Sequence, residues 1–254
     1  MRFLAALRFL TVIRLPWLKE TSSEHLKHSA GYFPFVGIVI GMLLAVLNWM
    51  LSFVLPQSVV NVLLIVASVL ITGALHIDGF LDTCDGAASN KTPQERWRIM
   101  DDSRAGGFGV IGVACLLLTK YVSLNSIPAP LLPVTLVLMP VMGRWAMVYA
   151  IFAYPYAKPS GLGQMIKPGT TWHKLALATS IALVAAIAGA YQVNLSFFYL
   201  AGLLLLALIW LLVVTVAAHL RKKFAGLTGD TYGAINEIAE LWCLILVSAL
   251  AHVR

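Results

Sequence analysis

The chain has 254 residues, 60% of them hydrophobic and 11% charged, with a formal net charge of +7. A mean hydropathy of +0.86 excludes a soluble domain of this length and indicates a polytopic membrane protein. The three cysteines, Cys84, Cys115 and Cys243, lie in or beside apolar segments without metal-ligand spacing, and read as small packed hydrophobes.

Residues Met1–Leu15 alternate Arg2, Arg8 and Arg14 with Phe3, Leu4, Leu7, Phe9 and Leu10, the pattern of an interfacial amphipathic helix. Met1–Leu10 has no uninterrupted apolar core and no small-residue cleavage site, so a cleaved signal peptide is not expected. Seven apolar runs of bilayer length follow. They are Tyr32–Leu55, Val59–Leu75 continuing into an aspartate-bearing segment, Gly107–Leu124, Leu131–Phe152, Leu175–Tyr191, Leu195–Ala218 and Ala234–Val253. The expected fold is an all-α transmembrane bundle, with Met1–Arg254 as one integral-membrane catalytic domain.

Pro56-Gln57, the Pro-rich turn Ile127–Pro133 and Gln192-Val193-Asn194 connect runs on one side and carry no charge. Every basic residue except Lys120, Arg144 and Arg254 falls on the other side. Positive-inside bias therefore places the N-terminus and the charged loops in the cytoplasm. The charge is a topology signal and gives no reason to invoke nucleic acid. All eleven acids share that side. Acids contribute little to topology, so a single cytoplasm-facing metal site is the expected cause. There is no internal repeat of the kind that marks many transporters.

The second run leads into His76-Ile77-Asp78-Gly79-Phe80-Leu81-Asp82-Thr83-Cys84-Asp85-Gly86. Steps of four and three residues keep Asp78, Asp82 and Asp85 within about 60° of arc on one helix face. Like charges beside lipid need compensation, and carboxylate oxygens suit Mg²⁺ or Mn²⁺. The competing reading is a helix end with solvated acids. Gly79 and Gly86 permit close approach of a backbone or a bulky substrate. His76 orients a carboxylate, binds phosphate, or simply packs.

Thr92-Pro93-Gln94-Glu95 predicts a capping box opening a short helix to about Met100, with Arg96 and Arg98 solvated. Next, Asp101-Asp102-Ser103-Arg104-Ala105-Gly106-Gly107-Phe108-Gly109 opens the third run. Acid, hydroxyl, guanidinium and glycines at a helix N-terminus suit phosphate; a helix cap with a glycine packing face is the alternative. Arg144, inside the fourth span, should face the bundle interior and pair with an acid or phosphate. The loop Tyr154–Lys167 carries Lys158, Gly161, Gly163 and Lys167 and reads as phosphate-binding or as a flexible basic loop. Gly226-Leu227-Thr228-Gly229-Asp230-Thr231-Tyr232-Gly233-Ala234 leads into Asn236, Glu237 and Glu240. Glu237 and Glu240 are helix neighbours and are expected to form a second acidic wall opposite the first. For Glu237 a helix N-terminus favouring an acid is the alternative.

Taken in order, His-x-Asp-Gly-x-x-Asp-x-x-Asp-Gly, Asp-Ser-Arg-x-Gly-x-x-Gly, Pro-Tyr-Ala-Lys…Gly-Leu-Gly and Thr-Gly-Asp-x-x-Gly-Ala-x-x-Glu-x-x-Glu resemble the cobalamin synthase family, adenosylcobinamide-GDP ribazoletransferase. Length, spans and motifs match along nearly the whole chain. The resemblance implies a bacterial inner-membrane enzyme that converts adenosylcobinamide-GDP and α-ribazole, or its 5′-phosphate, into adenosylcobalamin, or its 5′-phosphate, and GMP. It also implies Mg²⁺ dependence, with attack by the ribazole 3′-hydroxyl. The family's Asp motif maps onto Asp78, Asp82 and Asp85, and its Asp-Ser-Arg onto Asp102, Ser103 and Arg104. One departure is Asp101, where the family usually has a basic residue; it weakens phosphate attraction there or faces solvent.

On this reading Asp78, Asp82 and Asp85 hold Mg²⁺ (or Mn²⁺), with Asp102 or Glu240 completing the shell. Two metal ions about 4 Å apart suit such chemistry. Asp82, Asp85, Asp102 and Arg104 are the catalytic candidates, with Asp85 as proton acceptor. His76, Ser103, Gly106, Gly109, Arg144, Lys158, Gly161, Asp230, Asn236 and Glu237 are the substrate-contact candidates. The expected partners are the two substrates and the lipid bilayer, with other nucleotide-loop enzymes gathered at the membrane; the oligomeric state is open. Two other classes compete. A CDP-alcohol phosphotransferase-like enzyme wants Ala-Arg where this chain has Leu81-Asp82. A divalent-cation transporter wants acids near the midplane and exits on both faces.

Overall fold

A computed structural model describes residues 1–13, 22–192 and 197–253. In chain order the helices are α1 (Arg2–Leu10), α2 (Ser23–Lys27), α3 (Phe33–Leu51), α4 (Gln57–Ile71), α5 (Leu75–Ala88), α6 (Pro93–Met100), α7 (Gly107–Asn125), α8 (Leu132–Ala153), α9 (Leu162–Ile166), α10 (Trp172–Gln192), α11 (Phe198–Phe224) and α12 (Gly229–Val253). Among the described residues the only strand-like pairing is the bridge between Tyr156 and Leu227. Six helices are long and apolar enough to cross a membrane: α3 with the turn before it, α7, α8, α10, α11 and α12. Such helices satisfy their backbone groups internally, as hydrocarbon requires. The chain is an all-α polytopic bundle.

α8 is the central post. Every residue from Leu138 to Val148 is buried, as expected for a helix apolar on all sides. α3, α10, α11 and α12 pack around it. Helix α1 is shorter than its sequence pattern predicts: it ends at Leu10, and the Thr11 hydroxyl donates back to the Leu7 carbonyl at 2.7 Å. Its apolar face lies on α3, with Phe3 edge-on to Phe35 and Phe9 stacked on Phe33. Residues 14–15 of that expected helix, residues 193–194 of the expected connector, and the start of the sixth run at Leu195 lie outside the described residues.

The second run departs from expectation in a way that matters. It does not continue as one helix into the aspartates; α4 and α5 meet at 90°. Gly73 and Ala74 adopt left-handed φ values of +61° and +59°. Ala74 N–H donates to Val69 O at 2.9 Å and Gly73 N–H to Leu70 O at 3.1 Å. This is a Schellman stop, and it ends α4 after Ile71. Val12 N–H binds the freed Ile71 carbonyl at 2.8 Å.

The capping box on α6 is present, Thr92 and Glu95 each binding the other's backbone N–H. Arg96 is not merely solvated. It donates to the Gly86 and Ala87 carbonyls at 3.1 Å, and Lys223 donates to Ala87 O at 2.6 Å, so both close the C-terminus of α5. Cations suit the negative end of a helix.

Candidate active site

Helix α5 is held between the N-termini of α7 and α12. Asp85 accepts hydrogen bonds from the backbone N–H groups of Gly106 and Gly109, both at 2.8 Å. The carboxylate therefore caps α7, neutralising its positive end. A side chain at position 109 would strike Asp85 and Leu81, at 2.5 and 2.7 Å, so only glycine fits. Each Asp85 oxygen accepts one backbone N–H, so the residue expected as proton acceptor also serves as the cap of α7.

On the other flank, a Cβ at Gly79 would lie 2.8 Å from the backbone oxygen of Asp230. Glycine lets α5 and α12 touch there, and this draws Asp230 into the aspartate group. The half-buried Asp82 feels the negative charge of Asp78 most strongly, then of Asp230, then of Asp85. None of the described residues hydrogen-bonds the Asp78 or Asp82 carboxylates.

One cation, Lys158, stands by these acids, and a second, Arg104, lies in the loop before α7. Lys158 donates to Asp101 at 2.7 Å and to Asp230 at 3.5 Å. Burial pushes its ammonium down, but the hydrogen bond to Asp101 and the charges of Asp230 and Asp101 outweigh this and hold it above the ordinary lysine value. Its loop is fixed by Ala157 N–H to Leu227 O at 2.8 Å and Leu227 N–H to Pro155 O at 2.9 Å. Arg104 forks onto Asp102 at 2.7 and 3.1 Å. Those side-chain bonds, with the Arg104 backbone N–H, hold the Asp102 carboxyl down at about 2. Arg104 and Ser103 are exposed, in the loop whose Gly106 N–H binds Asp85.

A cavity of ≈ 380 Å³ opens beside Asp78, Asp101, Lys158 and Asp230. Gly161, at φ +130°, and Gly163 lie along its wall. His76 is buried and belongs to the residues around this cavity.

Glu237 and Glu240 do not form a second acidic wall. Both are buried, and Lys120 of α7 donates to them at 2.6 and 2.7 Å. Arg144 of α8 faces the interior as expected and pairs with Glu240. Asn236 donates to Glu240 at 3.2 Å. Glu240, expected in the metal shell, and Arg144, Asn236 and Glu237, expected at the substrate, thus belong to one buried network of mutual contacts. The physical reason is charge pairing: two acids and two bases, each costly alone in the interior, neutralise one another. Lys120 had no assigned role in the sequence reading, although a lysine within a span signals a buried acid partner.

Among the described residues, no three His, Cys, Asp or Glu side chains converge closely enough to hold a metal ion unaided. Asp85, Asp102 and Glu240 each have other partners, which breaks up the five-acid set expected from sequence. The remaining donors still fit Mg²⁺. That ion keeps several waters and takes one or two carboxylates plus substrate phosphates rather than an all-protein cage. Asp78 and Asp82, with Asp230 alongside, offer hard oxygens of that kind.

The family model for cobalamin-5-phosphate synthase matches residues 2–248. A protein of Roseiflexus sp. named adenosylcobinamide-GDP ribazoletransferase is 36% identical over 98% of this chain and 90% of its own length. Proteins of the same name from Desulforamulus reducens and Synechococcus elongatus are 36% and 38% identical, over 98% and 96% of this chain and 96% and 94% of their own. No solved structure matches the chain. With the match running nearly end to end and through all the motif-bearing helices, the chain belongs to the cobalamin-5-phosphate synthase family.

Proposed function

We propose that the chain transfers the cobinamide phosphate of adenosylcobinamide-GDP to α-ribazole or its 5′-phosphate, releasing GMP. The reaction is Mg²⁺-dependent, with Mn²⁺ as a substitute, at the cytoplasmic face of a bacterial inner membrane. The observation that carries this reading is the grouping of Asp78, Asp82 and Asp230 next to Lys158, at the N-terminus of one membrane helix. Acids for a cation and a cation for phosphate are what diphosphate cleavage requires.

Asp78 and Asp82, with Asp230, would hold the metal, which when bound neutralises charge on the phosphate oxygens. Lys158 leaves its carboxylates and Arg104 leaves Asp102 to grip those oxygens. The acceptor hydroxyl oxygen bonds to the phosphorus attached to the cobinamide arm. The bond from that phosphorus to the bridging oxygen breaks, and GMP departs with the oxygen and its electron pair. The hydroxyl proton passes to the oxygen of the Asp82 carboxylate that the metal does not take.

The test is turnover by purified protein in liposomes with adenosylcobinamide-GDP, α-ribazole and Mg²⁺, against an EDTA control. Metal-dependent appearance of both GMP and cobalamin is expected. Folded protein that yields neither overturns the proposal.

A further inference from the structure

Helix α11 carries an apolar stripe on its outer surface that ends in two cations. Leu203 and Leu204 are 47% and 59% exposed, and Trp210 and Leu211 45% and 54%; in a membrane-spanning helix such side chains meet lipid. Lys222 follows Leu204 by about five helical turns, and Arg221 follows Leu203 by the same interval, so each cation stands on the line of an exposed leucine. Both cations are exposed. The rise over that interval is about 27 Å, close to the ~30 Å of a hydrocarbon core, which puts Arg221 and Lys222 at headgroup level. Two amphipathic rings flank this end of α11, as they do at a membrane–water boundary. The Tyr154 hydroxyl donates to the Val214 carbonyl at 3.1 Å, and the Trp97 ring N–H to the Phe224 carbonyl at 3.1 Å.

The neighbouring cations are engaged within the protein, since Lys223 and Arg96 both donate to the Ala87 carbonyl. The ion pairs among the described residues use His28, Arg104, Lys120, Arg144 and Lys158, and neither Arg221 nor Lys222. Helix α11 has no acid of its own. The short helix packed against this end, α6, brings Glu95, which is bound to Thr92. Positive-inside bias accounts for the side on which basic residues lie. It does not account for two cations without a carboxylate on the lipid-facing line of a helix.

We propose that the C-terminal end of α11 binds the headgroup phosphate of an anionic phospholipid through Arg221 and Lys222, with the acyl chains along Leu203, Leu204, Trp210 and Leu211. Arg221 offers parallel N–H donors to the phosphate oxygens, and Lys222 adds a point charge. A zwitterionic lipid would bring its own ammonium to the same place, against two cations. The inference does not depend on the proposed transfer.

The experiment uses the full-length protein in a non-ionic detergent, given equal amounts of phosphatidylglycerol and phosphatidylcholine, with retained lipids counted by native mass spectrometry. Wild type should retain phosphatidylglycerol in preference. The double variant Arg221→Gln, Lys222→Gln should lose about thirtyfold of that preference, about fivefold for each cation. Phosphatidylglycerol should raise the melting temperature of wild type by mass action and leave that of the variant in place. A second double variant, Lys91→Gln, Arg98→Gln, removes the same charge from residues that act on Glu95 and should keep the preference. Inorganic phosphate at the lipid's concentration should not displace phosphatidylglycerol, because the acyl chains add their own contacts. An Arg221, Lys222 variant with wild-type preference overturns the proposal. So does an equal loss in both double variants, which would assign the preference to diffuse charge, or displacement by phosphate, which would assign the site to a soluble anion. A raised KM for adenosylcobinamide-GDP in the Arg221, Lys222 variant would overturn it too, by giving the cations to a substrate.

Discussion

Lys120 of α7 crosses the bundle to Glu240 of α12 at 2.7 Å, and its ammonium also meets Glu237 at 2.6 Å. With Arg144 on Glu240, this network ties α7, α8 and α12 together beneath α5. Lys120→Met leaves two buried carboxylates with one base. The expected loss is about 3–5 kcal/mol of stability, seen as a lower melting temperature in detergent. Adding Glu237→Gln restores charge balance and should recover part of it. If the single variant melts like wild type, the network is not holding the helices.

Asp82→Asn tests the chemistry without removing any hydrogen bond, since none of the described residues bonds that carboxylate. Transfer should be abolished while membrane insertion and melting temperature are preserved. Mn²⁺ binding, followed by electron paramagnetic resonance, should weaken in parallel. Near-normal turnover would remove Asp82 from the site.

Asp85→Asn separates a cap from a base. The amide offers one acceptor to two N–H donors, Gly106 and Gly109. The expected effect is a loss of about 1–2 kcal/mol in stability with reduced but measurable turnover. Abolished turnover at wild-type stability would restore Asp85 as the proton acceptor.

Asp101→Asn releases Lys158 from its shorter carboxylate contact. Asp101 is largely exposed, so the pair is screened and worth at most about 1 kcal/mol. KM for adenosylcobinamide-GDP should fall about two- to fivefold as the ammonium turns to phosphate. The Lys158→Ala variant should raise it. An unchanged KM in both would exclude Lys158 from substrate binding.

Much of the site was legible in the sequence because its carriers are local. The spacing of Asp78, Asp82 and Asp85 is a property of one helix, and the box Thr92–Glu95 closes within one turn. Misreadings arose where partners came from distant segments. Glu237 and Glu240 share a helix face whichever way it points, and only the position of Lys120 turns that face inward. Asp230 joins Asp82 through a contact at Gly79 that no local pattern announces.

The sequence by itself determined the class of the protein. Apolar runs of bilayer length must become helices where no water can satisfy the backbone, and charge asymmetry marks one end of them. The tertiary structure decided which charges were free to work. Nine of the eleven acids lie among the described chemistry-bearing helices and loops, yet pairing with a buried lysine, an arginine fork or a helix N-terminus occupies most of them. Carboxylates compete for the same cations and N–H groups across the whole fold. Which carboxylates that competition leaves unpaired depends on three-dimensional proximity, which no local pattern in the sequence reports.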